Sequence, residues 1–411
     1  MSNSVKRPRI LMIAFACNPA GGGEHWLGWG WAEQAAKFCD VTLLTWDRFS
    51  REIERQAPVA GVRAVCVGVP AWVNWLGDRS GAGRWLRQVV WHRRAAAIAA
   101  RLHAEEPFAL VHQTTFHTFR IPFRAASWGI PAVWGPVAGG EACPKGFGAW
   151  LGNLRTVESS RHFTNRLALA QPAVRRSLRA AQVIFVSNQT TLNFLPEWCR
   201  ARCRVVPPNA LRDDPPPPPL RPRDPKAPLN ILFVGNCVAT RSMPLVFEAL
   251  KNLPALPWRL TVVGGGSALE VWKASVRQRG LGANVVFTGS VPRGELPGHY
   301  ERADVFVFPA LRDSGGSGLL EAMSAGLPVV CCDWGGPAEM IDEGSGIKVS
   351  VGSPQLAIAG FTEAFKMLSA DPQRRAVLGR GAYERARKQF SWDTKREILE
   401  TTYAACLGPS R

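Results

Sequence analysis

The chain has 411 residues, enough for two domains of ordinary size, and 46% of them are hydrophobic, as in a soluble globular protein. Its net charge of +18 is concentrated in the first half, where residues 1–212 hold 27 Lys and Arg against 12 Asp and Glu, while residues 213–411 hold 23 against 20. No run approaches the roughly 18–20 apolar residues of a membrane-spanning helix, and of the ten Cys only Cys199 and Cys203 stand close, without a second pair or a nearby His to complete a tetrahedral zinc site, so reduced thiols are expected.

Basic residues precede the first apolar run, in the manner of a signal peptide, but Ile10–Ala16 leads into a glycine loop and an amphipathic helix and is read as a first strand. Further apolar runs predict strands near 41–46, 62–68, 108–113, 131–134 and 182–187, most of them followed by a helix. Such alternation predicts a parallel sheet covered on both faces. Residues 71–101 interleave Trp72, Trp75, Trp85 and Trp91 with Arg79, Arg84, Arg87, Arg93, Arg94 and Arg101 against one acid, Asp78. That mixture suits the headgroup layer of an anionic membrane, or else a solvated basic helix whose Trp residues pack inward.

Residues 207–228, PPNALRDDPPPPPLRPRDPKAP, are barred from helix and central strand by proline and predict an extended linker between a domain at 1–206 and another at 229–390. After it the alternation restarts, with strands at 231–234, 260–263, 285–288, 305–308, 329–332 and 347–351. Residues 391–411 hold a last helix. The fold class is therefore α/β, with two doubly wound Rossmann-like domains. Ligands of such sheets bind beyond the carboxyl ends of the strands, where the turns FVGN (233–236), VVGGG (262–266) and FTGSV (287–291) fall. No GxGxxG with a following acid and no Walker GxxxxGK[ST] occurs, against a dinucleotide enzyme or an NTPase.

The richest stretch is DVFVFPALRDSGGSGLLEAMSAGLPVVCCDWGG, residues 304–336. A buried strand runs into a turn bearing Gly315, Gly316 and Gly318, then into a helix whose free amides make an anion site. Asp313 and Glu321 bracket that turn with seven residues between them. Carboxylates in such positions accept paired hydrogen bonds from vicinal hydroxyls. This spacing, with EAMSAGLPVV after it, resembles the acidic-x7-Glu motif of retaining family 4 glycosyltransferases of the GT-B fold, with Asp where Glu is commoner. CNPAGGGEHW, FALVHQTTFHTFRIP and GPVAGGE are similar to a bacterial subgroup that builds cell-surface polysaccharides. The likeness is weakest through 70–105 and 145–175.

The resemblance implies transfer of a hexose from a nucleotide sugar, such as a UDP- or GDP-hexose, to a saccharide or polyprenyl-diphosphate-linked acceptor, with no cofactor and no catalytic metal. By it, Glu321 holds the donor ribose, Asp313 the transferred sugar, and the amides of Ser317, Gly318 and Leu319 the distal phosphate. Gly235, Gly264, Val291, Gly315 and Gly316 complete the donor side. The family's Arg after FVG is Asn236 here, leaving Arg241 to meet the diphosphate, or to stand as a solvated loop residue. Beside the donor sugar the family places a His, matched by His112 or His117; in many relatives it falls where this chain has Thr114. Gly22, Gly23, Glu24, Gly139, Gly140 and Glu141 form the acceptor loops, with capping of the next helix the alternative role for the two acids. The last helix crosses back to the first domain in this fold. The expected location is cytoplasmic, peripheral at the inner membrane face through residues 71–101. Two rivals stand beside this reading: a sugar-binding protein that lost catalysis, on account of Asn236, and a basic nucleic-acid-binding protein, which lacks any recognition motif here.

Overall fold

A computed structural model describes residues 7–408 apart from 22, 57–58, 116–117, 213–226 and 254–255. Gly22, His117 and most of the proline-rich stretch thus lie outside the described residues. The chain divides into two compact units, one formed by residues 1–140, 163–208 and 392–411 and the other by 141–162 and 209–391.

In the first unit, β1 (Arg9–Ala14), β2 (Asp40–Trp46), β3 (Val62–Val67), β4 (Leu110–Thr115), β5 (Ala132–Val137), β6 (Val183–Val186) and β7 (Cys203–Val205) form one sheet in the order β3-β2-β1-β4-β5-β6-β7. Every pairing is parallel. Its central strands β1, β4 and β5 are buried along almost their whole length, as in a parallel sheet covered on both faces. β7 was not expected from the sequence; three residues at an edge are too few to show a period. Cys66 on β3 is exposed, since β3 is the opposite edge.

Helix Gly81–Glu105 starts on Ser80, whose hydroxyl accepts the Gly83 amide at 2.9 Å. Its buried stripe, Gly83, Arg87, Trp91, Ala95, Ala99 and Leu102, repeats about every fourth residue, as one helix face must. Trp91 is fully buried and donates from Nε1 to the Val67 carbonyl at 3.0 Å. Trp72, Trp75 and Trp85 face outward, 58%, 55% and 42% exposed. The mixed stripe seen in sequence is therefore two populations, with Arg87 and Trp91 belonging to the interior.

The last helix, Trp392–Leu407, is built into this first unit, where Leu399 and Tyr403 share a core with Trp31, Ala35, Ile10 and Met12. It meets helix Glu24–Ala36 along Gly30, where an added Cβ would sit 2.0 Å from the Trp392 ring.

In the second unit, β8 (Leu229–Val234), β9 (Trp258–Val263), β10 (Val285–Gly289), β11 (Val305–Phe308), β12 (Val329–Cys332) and β13 (Gly346–Val349) are ordered β10-β9-β8-β11-β12-β13, again all parallel. The winding reverses between β8 and β11. Residues 141–162 pack here, with Phe147 and Leu151 inside the core of β8 to β13. A sequence reading that runs the first domain unbroken to 206 misplaces them, because periodicity shows that a residue is buried but not in which core.

Gly30→Val should force Trp392 out of its seat. Overpacking of this kind costs about 1–3 kcal/mol, so urea unfolding should show a lower midpoint for Gly30→Val and an unchanged one for a Val at the open Gly282, where an added Cβ meets nothing.

Candidate active site

Four loops of the second unit leave the carboxyl ends of β8 to β11 and are stitched to one another by backbone. Gly235 N–H donates to the Val263 carbonyl at 3.0 Å, Cys237 N–H to Gly265 at 2.8 Å, Gly264 N–H to Gly289 at 2.9 Å, and Leu311 N–H to Thr240 at 2.9 Å. Gly264 has φ 136°, and a Cβ there would lie 2.0 Å from the Gly235 carbonyl oxygen, so the glycine run is what lets these turns close up. Val291 packs on the core and Asn236 is exposed.

Across the switch point, Arg241 after β8 meets Asp313 after β11. Nη1 of Arg241 pairs with Oδ2 of Asp313, and both side chains are largely buried, 16% and 10% exposed. The guanidinium also lies over the Phe308 ring, 4.5 Å from its centroid. Its Nε is buried without a protein acceptor. Oδ1 of Asp313 accepts the Gly315 amide at 2.6 Å, and the Asp313 carbonyl accepts Gly336 N–H at 2.8 Å, so the acid is fixed from three sides. Arg241 is thus no solvated loop residue. It already has a carboxylate partner.

Helix Ser317–Ser324 begins after Gly316, at φ 99°, with no side-chain cap. Gly318 abuts the end of β8, where an added Cβ would lie 2.6 Å from the Val234 carbonyl oxygen. The Leu319 amide donates to the Gly316 carbonyl at 3.1 Å, so of the three amides expected to face a phosphate this one is already used. Ser317 and Gly318, in the first turn, have no intrahelical acceptor. Glu321 is held by Tyr300, whose hydroxyl donates to Oε2 at 2.9 Å; Arg293 stands 3.6 Å from Oε1. Burial, with Glu321 alongside, pushes the Tyr300 hydroxyl well above its ordinary range, so it stays a donor.

Tyr300 was missed in sequence, where nothing marks it within a short helix. Asn209 was missed too, being absorbed into the linker. It is buried, its Nδ2 lacks a partner, and it abuts Gly315, where an added Cβ would lie 2.7 Å from that nitrogen. A third contribution comes from residues 141–162. Trp334 Nε1 donates to the Ala142 carbonyl at 2.9 Å, and Arg312 pairs with the buried Glu158 at 3.0 Å. Beside Glu158, the Cys143 thiol is pushed up to about 12, mainly by burial.

The acceptor-side expectations need correction. Glu141 is 3% exposed and lies in the second unit, its carbonyl accepting from Arg161 Nε at 2.9 Å. Gly139 and Gly140 are buried: the Gly139 carbonyl accepts from Asn165 at 2.6 Å, and a Cβ on Gly140 would lie 2.7 Å from the Thr191 backbone, so neither offers open backbone to a ligand. Gly23, at φ 56°, starts helix Glu24–Ala36, with Glu24 in its first turn, where a carboxylate offsets the helix dipole. His112 is not placed to touch a sugar. It is fully buried in β4, Nδ1 2.6 Å from the Tyr403 hydroxyl and Nε2 2.8 Å from the Gly135 carbonyl. A carbonyl only accepts, so Nε2 carries the proton and Nδ1 accepts from Tyr403. Thr114 is likewise buried. Among the described residues no group of three His, Cys, Asp or Glu could hold a metal ion.

Residues 221–385 match the family described as Glycosyl transferases group 1. The match falls within the second unit, over residues 221–385. The GDP-mannose-dependent alpha-(1-6)-phosphatidylinositol monomannoside mannosyltransferase of Mycolicibacterium smegmatis is 34% identical over 39% of this chain and 42% of its own length. D-inositol 3-phosphate glycosyltransferase of Kineococcus radiotolerans is 28% identical over 73% and 72%. The chain spans less than half of the length of the mannosyltransferase it matches. Sucrose-phosphate synthase from Thermosynechococcus elongatus aligns over 97% of this chain and 99% of its own with a TM-score of 0.62 at 17% identity. At that identity it shows the fold, two Rossmann-like domains of the GT-B glycosyltransferases.

Burial lowers the His112 pKa from 6.5 to about 4. The unfolded chain therefore takes up this proton first as pH falls, and stability is lost between about 6.5 and 4, by at most about 3 kcal/mol from this group. His92, likewise lowered to about 4 by burial, adds to the slope. His112→Gln should show a shallower loss of stability over that window in urea titrations while retaining bound donor at pH 7.5; a histidine on the donor sugar would instead lose function at neutral pH.

Proposed function

We propose that the protein is a retaining glycosyltransferase that moves a hexose from a nucleoside diphosphate, such as a UDP- or GDP-hexose, to a saccharide or polyprenyl-diphosphate-linked acceptor in cell-surface glycan assembly. What supports it most is the Arg241–Asp313 pair at the switch point, with Ser317 and Gly318 four and five residues after Asp313 at a helix start and Glu321 on that helix. A cation, two free amides and two carboxylates are what a sugar diphosphate needs.

Glu321, oriented by Tyr300, accepts the ribose hydroxyls. The amides of Ser317 and Gly318 and the guanidinium of Arg241 face the diphosphate, whose charge grows as the glycosidic bond breaks; fixed dipoles lower that barrier without reorganising. In binding the diphosphate Arg241 exchanges one anionic partner for another, which frees an Asp313 oxygen for the sugar hydroxyls. Retention and the absence of a general base follow from the family resemblance: the departing phosphate oxygen takes the acceptor proton on the same face. Metal independence follows from the same donor set. Similarity to a GDP-mannose-dependent relative favours a guanine donor.

No helix among the described residues is long and apolar enough to cross a membrane. The exposed Trp72, Trp75 and Trp85, with Arg79, Arg93 and Arg94 also exposed, support reversible docking on an anionic membrane from the cytoplasmic side. Trp72→Ser, Trp75→Ser, Arg93→Gln, Arg94→Gln should sediment less with phosphatidylglycerol liposomes than wild type at low salt, and high salt should release both proteins. Equal sedimentation of the two would leave these residues an ordinary solvated surface.

The donor site is tested by calorimetry with UDP and GDP and by release of nucleoside diphosphate from their hexoses. A hydrogen bond to a charged group is worth about 1.5–3 kcal/mol, so Glu321→Ala should weaken binding roughly tenfold to a hundredfold, and Tyr300→Phe less. Release should survive excess EDTA. Wild-type rates from folded Glu321→Ala would refute the assignment, and binding without release would make this a nucleotide-sugar-binding protein.

A further inference from the structure

At the carboxyl ends of β1 and β2 the first unit holds a cavity of about 660 Å³ lined by Phe15, His25, Trp46, Phe49, Arg48, Arg84, Trp85 and Arg87, with Gly81 and Gln88 on the rim helix. Its floor is aromatic: Phe15 stacks on Trp46 with centroids 5.0 Å apart, and His25 meets Phe49 edge-on at 4.9 Å. Arg87 and Arg48 are pinned over Trp46, 4.5 Å and 5.4 Å from its centroid. Both reach Asp78, at 2.8 Å and 3.2 Å. Arg84 has no acid within ion-pair distance among the described residues. Three guanidiniums against one carboxylate leave two positive charges around the cavity.

The nitrogens sharpen this. His25 Nδ1, Trp46 Nε1 and Arg87 Nε are buried with no hydrogen-bond partner, and Arg87 as a whole is only 8% exposed. Indole and guanidinium nitrogens only donate, and buried donors are normally satisfied. The Trp46 and Arg87 donors therefore lack acceptors, and the guanidiniums are only partly neutralised by Asp78. A carboxylate would meet one charge; a phosphate dianion meets both and offers three acceptor oxygens.

We propose that this cavity binds the phosphate group of an organic phosphoester whose carbon part lies on the aromatic floor. If the transferase reading holds, that ligand is the acceptor, and its reactive hydroxyl is attached to a phosphorylated polyol, sugar or lipid head.

Binding is measured on the full chain by calorimetry, independently of donor turnover, with glycerol 3-phosphate and inorganic phosphate as soluble probes and glycerol as the uncharged control. Vesicles of phosphatidylcholine with or without phosphatidate form the lipid arm, read at high salt to suppress general surface attraction. Saturable binding of a phosphate probe, absent for glycerol and weakened at least tenfold in Arg84→Gln and in Trp46→Phe, is the expected result. Trp46→Phe keeps an aromatic side chain in the floor but, with the smaller ring, removes the N–H donor. Binding of the soluble probes marks a free phosphoester as sufficient; saturable binding to phosphatidate vesicles alone, with the same loss in the variants, marks a lipid headgroup. No binding in either arm, or equal binding by wild type and both variants, overturns the proposal. GDP or UDP binding should be unchanged in both variants, so failure here and failure of the donor site are told apart.

Discussion

The second unit is organised by one electrostatic problem, a buried cation at the place where its sheet changes direction. Arg241 and Asp313 come from strands that are neighbours in the sheet but are separated by two strand-helix repeats in sequence. Removing two charges from water is costly, and their attraction offsets the cost only when the remaining donors and acceptors are also met. Asp313 meets this condition through Gly315 and the fixed backbone at Gly336. Arg241 does not, because Nε has no acceptor. The imbalance makes the site receptive to an anion.

Around that pair the backbone does most of the positioning. Four turns share hydrogen bonds across the sheet edge, so each turn is set by its neighbours as well as by its own loop. Residues 141–162 add a buried acid beside Arg312 and a carbonyl under Trp334. Chain from the first half of the sequence therefore helps build the second unit.

The first unit shows the opposite economy. His112, which has the residue type expected of a sugar-contacting histidine, spends both ring nitrogens on Tyr403 of the last helix and on the Gly135 carbonyl within β5. Unsatisfied donors gather elsewhere, around Trp46. The basic character of this half is likewise divided, Arg87 and Trp91 being interior while Trp72, Trp75 and Trp85 are on the surface.

Sequence by itself determined the two parallel sheets, since strand runs spaced by helices leave little choice of architecture. It also made the candidate segment legible, because Asp313, the glycines and Glu321 lie within one strand-turn-helix, where local spacing is three-dimensional spacing. Tertiary structure alone decided which groups meet across distance. The union of Arg241 with Asp313, the hold of Tyr300 on Glu321, the burial of Asn209 and the membership of residues 141–162 are all contacts between distant stretches. So is the fate of His112, fixed by Tyr403, 291 residues away. Periodicity reports that a side chain faces inward, but the partner it finds there depends on how separate elements pack, and that is not written locally in the chain.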